Sequence, residues 1–110
     1  EGGNTHYMAG QVAMDRNGQV VGQGDLVAQF RQVCENLKAL VTARGGQMND
    51  IVKLTLFVLS KAEYKAKVRD IGLVYREFFG RHYPAMTLVE VKGLYHDGCM
   101  IQIEGVAGIA

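Results

Sequence analysis

The 110-residue sequence has no tryptophan, one proline and two cysteines. Cys34 and Cys99 cannot make the disulfide framework that holds small secreted domains, so a packed core must hold the chain and a reduced, cytoplasmic setting is the expectation. No apolar run approaches the ~18–20 residues of a membrane-crossing helix, and no signal-peptide pattern is present, so no membrane partner is expected. A formal net charge of +1, without basic residues interleaved with aromatics, leaves no electrostatic case for nucleic acid and argues against ribonuclease activity. His6, His82 and His96 are scattered and share no metal-ligand spacing with the cysteines, so neither metal nor cofactor is expected. Cys99 has His96 near it in sequence, but nothing fixes the pair as a nucleophile and base. Glycines 18, 22 and 24 have the wrong spacing for a nucleotide fingerprint, and no lysine follows as a phosphate loop requires.

What remains is the composition of an ordinary globular domain: 48% hydrophobic and 21% charged residues, enough for one core over residues 1–110. Tyr7 to Ala13 reads as a strand and Gln19 to Val21 as its partner, joined by Asp15-Arg16-Asn17-Gly18 with its Asn-Gly hairpin signal. Asp25 is a natural N-cap, and Leu26, Phe30, Val33, Leu37, Leu40 and Val41 follow at helical spacing until Arg44 and Gly45-Gly46 close the helix. Ile51 to Leu59 is a strand with apolar residues on both faces, Val52, Leu54, Leu56 and Val58 on one and Ile51, Phe57 and Leu59 on the other, the latter interrupted by Lys53 and Thr55. Helices can cover only one of them, so an oligomer is expected.

Ser60-Lys61-Ala62-Glu63 is a capping box opening a second helix over Lys61 to Phe79, stopped by Gly80. Arg76, Arg81 and His82 gather near its end, where cations complement the helix dipole, with an anion site as the alternative reading. Pro84 belongs at the mouth of a strand. Beyond it Met86, Leu88 and Glu90 share one face, and Thr87, Val89 and Val91 the other. Asp97-Gly98 turns into a last strand, Cys99 to Val106, with Met100, Gln102, Glu104 and Val106 on one face. The order ββαβαββ predicts an α+β domain, a mixed sheet with two helices on one side.

Tyr83-Pro84-Ala85-Met86-Thr87-Leu88-Val89-Glu90-Val91 resembles the strand carrying the Pro-Ala-Arg signature of the Rid (YjgF) family of reactive-intermediate imine and enamine deaminases. Tyr7 to Val12, Asn49 to Val58 and Ile101 to Ala107 resemble three further family strands, in the right order and over nearly the whole chain. The resemblance implies the chorismate-mutase-like YjgF fold, a homotrimer whose sheets wrap into a barrel, and small-molecule clefts between subunits. It also implies a longer lead-in with a cleft tyrosine, so a few residues are expected to precede Glu1.

The departures bear on chemistry. Met86 stands where the family's arginine grips the substrate carboxylate, and Gln102 stands where its glutamate moves protons. Ala9 replaces a serine at the Gly-Gln turn, and Leu88 a cysteine. A thioether carries no charge, and an amide accepts no proton at neutral pH. Losing a charge-assisted grip costs at least about tenfold in binding, and losing general acid-base help roughly 10²–10⁴ in rate. The expectation is a cleft lined by Ala9, Gly10, Met86, Leu88 and Gln102 that acts on or binds an imine- or enamine-type metabolite without standard carboxylate recognition. Gln102, Glu104 and Glu90 are the candidate catalytic groups. A non-catalytic metabolite-binding or regulatory trimer is the alternative.

Overall fold

Asp25 opens the first helix as its sequence predicts: its Oδ1 accepts the Ala28 amide at 3.1 Å. In the computed structural model, which describes residues 3–110, helix α1 spans Leu26–Ala43 and buries Leu26, Phe30, Val33, Leu37 and Val41. Its exit is closed by Gly45 at φ +84°, a conformation that glycine adopts without steric cost, with the Gly46 amide returning to the Val41 carbonyl at 2.9 Å.

Strands β1 (Asn4–Val12), β2 (Ile51–Val58), β3 (Ala85–Glu90) and β4 (Ile101–Ile109) form one sheet in the order β1-β4-β2-β3. β3 runs parallel to β2, and the other pairings are antiparallel. Between β2 and β3 lie helices α2 (Lys61–Ala66) and α3 (Val68–Phe79). Alternation puts Ile101, Ile103 and Ala107 of β4 and Leu54, Leu56 and Val58 of β2 into the core with α1 and α3. The fold is therefore the α+β arrangement expected, a mixed sheet with its helices on one side.

Three details differ from the sequence reading. The partner expected at Gln19 to Val21 shrinks to a single bridge, Met14 with Val20. The turn itself forms, with Asp15 Oδ1 accepting the Asn17 and Gln19 amides at 2.9 and 3.0 Å. Gly22 and Gly24, at φ +65° and +81°, then turn the chain into α1 before a strand can grow. The second helix is broken at Lys67, whose amide is shared between the Glu63 and Tyr64 carbonyls. Its capping serine works as expected, accepting the Glu63 amide at 3.0 Å.

The third difference is in β2. A bulge between Ile51 and Lys53 puts two residues of β2 against one of β4, so Ile51 joins the core and Val52 is left 53% exposed. The outer face of β2 is thus Lys53, Thr55 and Phe57: it keeps the interruptions at Lys53 and Thr55 that the sequence predicts and loses Ile51 to the core. No helix covers this face: Tyr7 of β1, Val89 of β3 and Leu59 just after β2 remain exposed.

Candidate functional site

The residues singled out from sequence fall into two separate groups. Met86 and Leu88 of β3 lie in register with Leu54 and Leu56 and face the helices. Gln102 and Glu104 alternate with the buried Ile101 and Ile103 and face the other way, opposite Phe57 and Thr55. Gln102 lies across Gly10 on the neighbouring strand so closely that a methyl group there would collide with the Gln102 amide. That close approach explains a glycine at position 10, next to the bulge between Met8 and Gln11. Ala9 and Glu104 border a shallow groove with Lys53, Thr55 and Tyr7 on the open face of the sheet. Since β2 lies between β3 and β4, and Met86 and Gln102 face opposite sides of the sheet, one copy of the chain does not bring Met86 to Gln102.

Glu90, the third candidate acid, has a different task. Its Oε1 accepts the Lys61 amide at 2.8 Å, capping the first turn of α2 from across the crossover. That contact gives its carboxylate a structural task.

The Met86 side of β3 opens onto a cavity of about 290 Å³ between the sheet, α1 and α3. Its floor is apolar, with Phe30, Leu37, Leu54, Ile71 and Ile103. The wall is aromatic: Phe79 stacks on Tyr75 at 4.6 Å between centroids, and Tyr75 on Tyr83 at 5.3 Å. Met86 and Tyr83, 44% and 69% exposed, form the mouth. Two hydrogen bonds hold the segment that carries Tyr83. Tyr75 Oη donates to the His82 carbonyl at 2.6 Å, and His82 Nε2 donates to the Ile51 carbonyl at 2.6 Å. His82 is therefore a structural tie.

Nothing in this cavity is poised to move a proton at neutral pH. Cys34 lines it, but burial pushes its thiol up to about 12. Burial likewise pushes the Tyr75 phenol up to about 12 and raises that of Tyr64. No aspartate, glutamate or histidine among the described residues lines the cavity, and the charged side chain in its wall is Arg76, on α3. Among the described residues, no group of His, Cys, Asp and Glu could hold a metal ion.

The family model described as Endoribonuclease L-PSP matches residues 1–109. The chain belongs to the Rid (YjgF) family. A RutC family protein of Pyrococcus horikoshii is 40% identical over 106 residues, covering 96% of this chain and 79% of that protein. The 3-aminoacrylate deaminase RutC of Acinetobacter baylyi is 35% identical, covering 96% of this chain and 80% of its own length. Among solved structures, a Rid family protein of Yersinia pestis, described as of unknown function, superimposes with a TM-score of 0.87 at 32% identity, covering 97% of this chain and 80% of that one. RidA of an Antarctic Psychrobacter gives 0.82 at 30%, covering 99% and 84%.

Sequence reading set Arg76 down as a helix-end cation and missed Gly72; both line the Met86 cavity. Arg76 sits in the last turn of α3, where a cation is explained by the helix end alone. That it shares a cavity with Met86 depends on where α3 lies over the sheet, which periodicity does not encode. Gln29 was also missed. It occupies an i+3 position of the apolar stripe, is completely buried, and ties three segments together. Its amide donates to the Val21 and Gly98 carbonyls and accepts the Met100 amide at 3.1, 2.8 and 2.7 Å. A polar residue in an apolar stripe was the available signal.

Proposed function

We propose that this Rid protein is a homotrimer with small-molecule clefts between subunits. Each cleft sets the Met86 cavity of one copy against Gly10, Ala9 and Gln102 of the next. The observation that supports this is the separation of the two groups within one chain, together with an uncovered sheet face. The ligand is an imine- or enamine-type metabolite, or a close relative, that is not held through a cation on β3. In the deamination that the family relationship suggests, water oxygen adds to the C=N carbon and nitrogen takes up a proton. The C–N bond then breaks, releasing ammonia and leaving a carbonyl. Gln102 can orient the water but cannot take its proton, and Glu104 is the nearest carboxylate in sequence on the same face.

The absence of any acid or imidazole from the cavity wall favours a second reading, a metabolite-binding or regulatory trimer that does no chemistry. Ammonia release from freshly generated 2-iminobutyrate tests how far the chemistry has departed from the family's. We expect little activity in the wild type. A gain of at least about tenfold is expected in the Met86→Arg, Gln102→Glu double variant, which puts a cation on β3 and a proton carrier on β4. Wild-type turnover already matching that of the double variant would overturn the proposal of a departed mechanism.

A further inference from the structure

We infer that Arg76 supplies the cation missing from β3, so that the Met86 cavity takes a small planar apolar carboxylate with its ring against the aromatic wall and its carboxylate on the Arg76 guanidinium. The inference rests on the Met86 cavity being the ligand site, as proposed above. Arg76 and Met86 line the same cavity, from α3 and β3 respectively. The neighbouring acid on α3, Glu77, is already engaged: it takes Arg31 of α1 in a two-pronged contact at 2.7 and 2.9 Å. Arg76 is thus an exposed residue in the wall of an apolar hollow, and a guanidinium is the group that pairs a carboxylate bidentately.

Gly72 carries the argument independently. It lies one turn before Arg76 on α3 and lines the same cavity. Glycine is a costly choice inside a helix, and here neither usual reason for it applies. Its φ is not positive, and a Cβ built on it meets nothing within 4 Å. What its missing side chain leaves is room in the cavity wall. At about 290 Å³ the hollow lies near the lower end of small-molecule pockets, ~300–1,000 Å³. A single ring with a short acidic arm is the matching size class. The stack of Phe79, Tyr75 and Tyr83 favours a planar face.

Phenylacetate and its neutral counterpart phenylacetamide test this by calorimetric titration of the intact protein. We expect the wild type to bind the acid about tenfold more tightly than the amide. Arg76→Gln should bind both with the affinity of the amide, and Arg76→Lys should keep a reduced preference for the acid. Gly72→Leu should bind neither while unfolding at a temperature no lower than that of the wild type, because it fills space without displacing backbone. Equal affinity for acid and amide in the wild type, or a preference for the acid that survives Arg76→Gln, would overturn the role of Arg76 and leave the cavity standing. Binding of neither probe to the wild type would overturn the cavity reading and this inference with it.

Discussion

At the scale of single residues, the core depends on one polar side chain among apolar ones. Gln29 satisfies two carbonyls and one amide from segments that have no ladder to satisfy them. Gln29→Leu keeps the volume roughly and abandons all three groups. With about 1–3 kcal/mol for each buried group left unpaired, and some relaxation, we expect a loss of roughly 3 kcal/mol in urea unfolding. A loss below about 1 kcal/mol would mean that water replaces the amide. Cys34 makes a pH-dependent contribution of known sign. Its folded pKa is raised by burial from the ordinary thiol value of 9.0 to about 12. Its contribution to stability is therefore complete below pH 9 and is lost as pH rises from there toward 12, because only the unfolded thiol ionises in that window. We expect the wild type to lose about 1.4 kcal/mol per pH unit more than Cys34→Ala across that window. Equal slopes would show that the thiol is not as dry as its position implies.

Elements were legible where one local rule governs them, and illegible where a distant residue intervenes. The Asp25 cap, the stripe of α1, the Gly80 stop and the mouth of β3 at Pro84 all follow from neighbours in sequence. The bulge at Val52 does not, because Val52 and Lys53 both fit a strand and only the pairing with β4 decides which side each takes. The start of α2 has the same character. Ser60 announces the helix locally, but the carboxylate on its first amide comes from Glu90, on another strand. The candidate site was readable as residue types, Met86 and Gln102 among them, and not as a place, since strand order and pairing, which keep the two apart within one chain, come from distant residues. Glu90→Ala tests the cap. A cap in this exposed setting is worth about 0.5–1 kcal/mol, and the change should lower stability by that amount while leaving ligand affinity at the Met86 cavity unaltered. A change in affinity without a change in stability would return Glu90 to the list of candidate acids.

At the scale of the whole molecule, the question is whether the two halves of the site meet within a chain or between chains. β3 and β1 are separated by the full width of β2 and β4, and Met86 and Gln102 face opposite sides of the sheet. A copy seated on the open face is the simplest way to close the distance, and it would also cover Tyr7, Leu59 and Val89. Light scattering should then return three times the 12.1 kDa chain mass. Mass alone does not show where the site is, but mixing does. The single variants Met86→Arg and Gln102→Glu each restore one partner. If the site spans two copies, unfolding and refolding them together at equal amounts gives about a quarter of the interfaces both restored groups, by the statistics of a closed ring of unlike chains. Deaminase activity of the mixture should exceed that of either variant alone and approach a quarter of the double variant's. If the site lies within one chain, the mixture can do no better than the average of its parents, however the copies assemble. A mixture that stays at that average, beside an active double variant, would place the chemistry inside the protomer and leave the trimer with a purely structural role.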